Sequence, residues 1–322
     1  MARSEDFRFR AGDLTLAGTL TLPEDAGGRH PWAVLVGSWL PRDRDGSWDR
    51  RRHPGWFAPA SGGEPPGPLS RLADALAARG VATLRYDPRG CGESGGTWEG
   101  ADLFARIDDA RDAIGAMRSR PELDLRRTAI VGHGEGAVVA ISAAISDPAI
   151  GLVGLVGAPA RSLRDVLRRG VALRARTGTD RQHPVVAELD RLSEELIERA
   201  ERREPEATLH IAGEAVTLRL AMLEQGIHTP ALALATMLHR RAVIAHGSDD
   251  AWVAPDEAGL LAATLAAGGT EPTILEIAGA GHDLAEASDE SIAEIAGALA
   301  GGIEPRDLPP VLLAIEQMGG GG

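Results

Sequence analysis

The order of apolar and polar positions along the chain predicts its elements. From Phe7 to Leu22 the two kinds alternate around Ala11-Gly12-Asp13, which reads as a β-hairpin. Trp32-Ala-Val-Leu-Val36 is a short continuous apolar run, as expected of a strand buried on both faces. Leu69, Leu72 and Leu76 give helical spacing from Pro68 to Arg79, and Gly80 stops it. A strand follows at residues 81–86, then a turn-rich loop to Gly100, an amphipathic helix over 101–118 and a strand over 128–131. A small-residue helix (137–145) and a strand (151–156) come next. The pattern resumes with a strand at 241–246, a helix at 255–267, a strand at 273–277 and a final helix at 288–299. Strands alternating with helices at this spacing predict an α/β fold with a doubly wound, mostly parallel sheet.

Residues 160–234 interrupt the alternation. They are charged and helical in pattern, as in the stretch from Leu189 to Arg203. They divide the chain into a first core part (1–159), an inserted helical cap (160–234), a second core part (235–302) and a C-terminal tail (303–322). A cap would lie over the carboxyl ends of the strands, where open α/β sheets bind ligands; a purely solvated helical bundle is the alternative. The tail has one apolar stretch, Val311 to Ile315, and its four closing glycines are expected to lack order.

Composition narrows the function classes. The 322 residues are 43% apolar, and no 18-residue apolar run suggests a membrane span. The start, Met-Ala-Arg-Ser-Glu-Asp, lacks the basic-then-apolar order of a secretory signal. The single Cys91 excludes an internal disulfide and fits a reducing cytoplasm. A net charge of −13 argues against nucleic acid and anionic membrane as partners; a homodimer is compatible with the sequence. The chain has no lysine and no asparagine, all 34 basic residues being arginine. Schiff-base chemistry on a lysine, and pyridoxal phosphate held that way, are excluded. No Cys/His cluster has zinc-finger spacing and no glycine loop carries the Walker lysine, so neither cofactor nor metal is expected.

The candidate chemistry lies at loops that follow strands. Residues 128–136 read Thr-Ala-Ile-Val-Gly-His-Gly-Glu-Gly, the strand and G-x-S-x-G frame of a nucleophile elbow, with Gly134 at the nucleophile position. Upstream stand Asp43-Arg44-Asp45 and Arg85-Tyr86-Asp87-Pro88-Arg89-Gly90-Cys91-Gly92-Glu93-Ser94; downstream stand Gly247-Ser248-Asp249-Asp250-Ala251-Trp252-Val253 and Gly279-Ala280-Gly281-His282-Asp283. In these motifs, over residues 7–160 and 235–300, the chain resembles the α/β-hydrolase superfamily, and within it bacterial acyl-esterase or serine-aminopeptidase-like members. The resemblance implies His282 as general base and Asp250 as its acid, with Asp249 the alternative one residue away. It also implies an oxyanion hole from the Trp39 and Glu135 amides. The chain departs from the family twice. Gly134 replaces the serine, and the strand expected to end in His-Gly reads Val36-Gly37-Ser38-Trp39-Leu40-Pro41. Glycine suits the strained elbow backbone, so the fold tolerates the first change. Cys91 is the obvious substitute nucleophile, but its loop belongs beside the elbow rather than beneath the histidine, and a buried spectator thiol is favoured.

Six of the eleven aromatic residues are tryptophan. Trp39, Trp48, Trp56, Trp98 and Trp252 fall in loops after core strands and suit a small hydrophobic or aromatic substrate, with two or three expected in the pocket. Arg42, Arg44 and Arg50 to Arg52 are expected to be solvated or paired internally, with Asp43, Asp45 and Asp49 close by. Three functional readings stand. The leading one is a serine-independent enzyme in which His282–Asp250 takes a proton in elimination, cyclisation, C–C cleavage or water-driven hydrolysis of an ester or lactone. The others are a serine esterase or amidase inactivated at position 134, and a non-catalytic small-ligand-binding protein.

Overall fold

A computed structural model describes residues 2–24, 28–49, 51–53, 67–177, 184–211 and 214–319. Trp56 and Arg50 lie outside the described residues. The predicted N-terminal hairpin is β1 (Arg3–Ala11) and β2 (Leu14–Leu22), followed by β3 (His30–Val36), α1 (Pro68–Ala77), β4 (Ala82–Tyr86), α2 (Leu103–Met117), β5 (Leu123–His133), α3 (Gly136–Ser146) and β6 (Ile150–Val156). After the insertion come β9 (Arg241–Gly247), α8 (Asp256–Ala267), β10 (Thr273–Ile277), α9 (Asp289–Gly302) and α10 (Pro310–Gly319). Eight strands form one sheet in the order β1-β2-β4-β3-β5-β6-β9-β10. β2 is antiparallel to both its neighbours, and from β4 onward every pairing is parallel.

The apolar run of β3 shows why the sheet is covered on both faces. Trp32, Val34 and Val36 enter one core with residues of α2 and α3, while Ala33 and Leu35 enter a second core with residues of α1 and α9. Successive side chains of a strand point to opposite faces, so a run with no polar member needs helices on both. Local signals set the helix starts. Pro68 opens α1, Asp102 accepts from the Ala105 amide at 2.7 Å to cap α2, and Ser288 accepts from the Ser291 amide at 3.1 Å to cap α9.

Between β6 and β9 the chain forms α4 (Leu163–Thr177), α5 (Pro184–Glu201), β7 (Glu206–Ile211), β8 (Glu214–Arg219), α6 (Ala221–His228) and α7 (Ala231–Ala235). The expectation of a wholly helical insertion is corrected here, because β7 and β8 pair as an antiparallel hairpin. Their alternation is short and weak: Ala207, Leu209 and Leu218 turn inward, while Thr208, His210 and Thr217 face out. These apolar residues join Leu192, Leu196, Leu223, Trp98 and Cys91 in a core of the insertion's own, against loops of the main domain. The tail departs from expectation too. The apolar stretch lies in a helix, α10, whose Leu312 packs with Leu308, just before the helix, on Leu125 and Ala149. Gly319, the first of the four closing glycines, ends that helix, and the other three lie outside the described residues.

Candidate active site

Every candidate group lies just beyond the C-terminal end of a parallel strand. Ser38 and Trp39 follow β3, Gly134 and Glu135 follow β5, Gly157 follows β6, Asp250 follows β9 and His282 follows β10. These five strands are consecutive neighbours, so their loops converge at one edge of the sheet, the usual place for ligands in such folds.

His282 and Asp250 form the pair that the motifs imply. The ring donates from Nδ1 to Asp250 Oδ2 at 2.8 Å. The other carboxylate oxygen accepts from the Trp252 and Val253 amides, both at 2.8 Å, which fixes its orientation. Asp249, the alternative, is exposed and only accepts from the Ser248 hydroxyl at 3.1 Å. Burial alone would raise the Asp250 pKa, but the charge of His282 and hydrogen bonds from His246 and His282 hold it below the carboxylate range. Burial would conversely lower the His282 pKa; Asp250 outweighs it and raises the ring above 6.5. The Nδ1–H···carboxylate bond leaves Nε2 as the basic atom of the neutral ring.

Two groups without a sequence signal, His133 and Gly157, lie against His282, and a third, Asp283, is the next residue in the chain. His133, whose pKa burial pushes down to about 4, is neutral and donates from Nε2 to the His282 carbonyl at 2.9 Å. Gly157 lies so close that a Cβ there would stand 3.3 Å from both Cε1 and Nδ1 of His282. Asp283 pairs with Arg42 at 2.8 Å. The spacing of His133 and Gly157 to His282 carried no signal, because both act across a fold-dependent contact.

Gly134 has a φ of +58°, the left-handed region in which a side chain is strained. A Cβ at this position would lie 3.1 Å from His282 Nε2 and 3.2 Å from Ser38 Oγ. Nε2 therefore faces the place where the superfamily's serine would begin. Trp39 follows Ser38 and Glu135 follows Gly134 in the chain, and neither amide donates to an acceptor among the described residues. Arg106 ties the two loops together: it pairs with the Glu135 carboxylate and donates to the Gly37 carbonyl at 2.7 Å. A readable signal marks Arg106, which occupies a core-facing position of α2 in register with Leu103, Ala110 and Ile114.

A cavity of about 90 Å³ opens over these groups, room for several waters or a small organic group. Ser38, Trp39, Glu135, Trp252 and His282 line its floor, and Val166, Leu196, Leu218 and Leu223 of the insertion line the rest. Of the five tryptophans, Trp39 and Trp252 line it; Trp98 stacks behind Trp39 with ring centroids 6.1 Å apart, and Trp48 lies under Arg42 at 3.9 Å. Neither Trp48 nor Trp98 is brought to the cavity wall, because the loop uses their faces for its own packing. Arg42 also borders the cavity, but Asp283 and the Gly46 carbonyl engage it. Arg44 pairs with Asp87 at 2.6 Å and Arg85 with Asp45 at 2.6 Å, so these motif charges fasten loops together. Arg52 donates to the Ser94 carbonyl at 2.7 Å. Cys91 is buried in the insertion's core, where burial and the nearby Asp49 push its thiol pKa up, the reverse of what a nucleophile needs.

The family model for serine aminopeptidase, S33, matches residues 62–289, more than half of the chain. The chain belongs to that serine aminopeptidase family. No curated protein sequence matches it. Among solved structures, this S33 member is similar to Est1E from Butyrivibrio proteoclasticus with ferulic acid bound, at 14% identity and a TM-score of 0.61, over 90% of this chain and 96% of that one. It is also similar to the α/β hydrolase GrgF from Penicillium sp. sh18 (18%, TM-score 0.59, 94% and 99% covered). An esterase domain from a Rhodothermus marinus protein matches at 16% and 0.56, over 94% and 97%. At these identities the likeness shows the fold, which is that of the α/β hydrolases. Among the described residues no helix is long and apolar enough to cross a membrane.

Proposed function

We propose that this S33 member is an enzyme that works without a serine ester. In this reading His282, oriented by Asp250, is a general base that activates water against a small hydrophobic or aromatic ester or lactone. The observation that carries the reading is the direction of the histidine: Nδ1 is bound to Asp250 at 2.8 Å while Nε2 faces the point, 3.1 Å away, where a side chain at Gly134 would start. Water takes the part of the missing Oγ. Its oxygen bonds to the carbonyl carbon, its proton passes to Nε2, and the carbonyl electrons move to the oxygen held by the Trp39 and Glu135 amides. Collapse breaks the bond to the alkoxy group, which leaves with the proton from Nε2. The insertion serves as a cap whose leucines, with Trp39 and Trp252, give the cavity its apolar wall.

A positioned base of this kind contributes about 100- to 10,000-fold. The test incubates the protein and a His282→Ala variant with a metabolite pool and compares products by mass spectrometry. The expected result is turnover by the unsubstituted protein that falls by that factor in the variant. Turnover unchanged in His282→Ala would sink the proposal, and saturable binding with no product would favour a ligand-binding role.

A further inference from the structure

Ser38 is the second polar side chain at the place left by Gly134, and no motif marks it. It lies two residues beyond β3, buried at 6% exposure, on the floor of the cavity. The point where a Cβ of residue 134 would stand is 3.2 Å from its Oγ and 3.1 Å from His282 Nε2. Both atoms border the space that the absent side chain of residue 134 leaves. No described residue hydrogen-bonds the Ser38 hydroxyl. The residue lines the cavity, so its hydroxyl is open to an occupant of the cavity that can hydrogen-bond it. Arg106 fixes the loop that carries it through the Gly37 carbonyl.

We propose that Ser38 and His282 together hold the attacking water, an inference that rests on the general-base reading above. The water donates one hydrogen to Nε2 and the other to Ser38 Oγ, which leaves a lone pair directed into the cavity. When that lone pair bonds to the substrate carbon, the first proton moves to Nε2 and later leaves with the alcohol. The second stays on the new carboxylic acid, and Ser38 is unchanged at the end. Ser38 is not the nucleophile in this arrangement, because its Oγ is not bonded to Nε2 and so lacks the direct path for its own proton; the ring of His282 bonds only Asp250 among the described side chains.

The test joins a crystal structure of the full chain to kinetics on 4-nitrophenyl butyrate. An ordered water within hydrogen-bonding distance of both Ser38 Oγ and His282 Nε2 is expected, lost in Ser38→Ala and kept in Ser38→Thr. Ser38→Ala should lower kcat at least about tenfold, the order of one lost hydrogen bond, with KM and Tm unchanged, and Ser38→Thr should recover most of it. The absence of any shared water overturns the inference, as does an acyl group on Ser38 in the mass spectrum of quenched enzyme. Full kcat in Ser38→Ala with an inactive His282→Ala overturns this inference alone, whereas full activity in His282→Ala removes the general-base reading itself.

Discussion

Two residues decide how the site responds to pH and to repair. His282 must be neutral to accept a proton, and Asp250 raises its pKa above 6.5. The rate should therefore fall as pH drops through that raised value, an acid limb of kcat/KM lying above pH 6.5. Replacing Asp250 with Asn removes the charge that raises the ring, so the limb should move to lower pH while the rate falls, checked by a pH profile of both proteins. By linkage, the raised His282 contributes stability that is present below pH 6.5 and is lost as pH rises through the raised value, whereas the lowered Asp250 contributes stability that is lost as pH falls through the carboxylate range. Gly134 sets the second expectation. A serine there meets a φ of +58° and contacts of 3.1–3.3 Å to His282 and Ser38. Gly134→Ser should cost roughly 1–3 kcal/mol, seen as a lower Tm. It should also yield no rapid burst of 4-nitrophenol from an activated ester; a large burst would mark an ordinary esterase that has lost its serine.

At the scale of elements, a buried cation helps to tie the insertion to the core. Arg174 of α4 donates to the Ala251 carbonyl at 2.9 Å, pairs with Asp190 of α5, and lies over the Trp252 ring at 4.5 Å. It joins two helices of the insertion to the loop that carries the acid. Removing it leaves the part-buried Asp190 without this partner and strips one face from Trp252. Arg174→Ala should cost about 1–3 kcal/mol. The loss is expected as faster amide exchange in α4 and α5 rather than in β5 and β6, and as a raised KM. Uniform loosening of the whole chain would count against this clamp.

On the scale of the whole molecule, the last helix lies far in sequence from the strand it covers. Leu312 of α10, with Leu308 just before the helix, packs on Leu125 at the start of β5, and Arg126 reaches Glu316 at 3.0 Å. β5 leads directly into the elbow, so α10 braces the strand behind the site. Leu312→Ala should destabilise by about 2 kcal/mol, the low end for a buried leucine because this cluster is small, with the cost read in denaturant titration and kcat unaltered.

The chain's own periodicities determined the sheet, since runs such as Trp32–Val36 need helices on both faces wherever they are placed. Motif spacing likewise pointed to His282 and Asp250, because both belong to short loops whose geometry is local. The hairpin β7–β8 and the helix α10 were not legible: their apolar positions are few and gain meaning only against Leu192, Trp98 or Leu125, residues distant along the chain. Trp48 and Trp98 share the sequence context of Trp39, and only packing shows that they support the loop instead of lining the cavity. The surroundings of Ser38, Gly157, His133 and Arg174 were decided by the tertiary structure alone, because hydrogen bonding and contact act over a few ångströms in space and a linear spacing does not encode that distance. The sequence thus determined which strand ends bring the candidate groups together, and the fold decided which atoms surround Gly134.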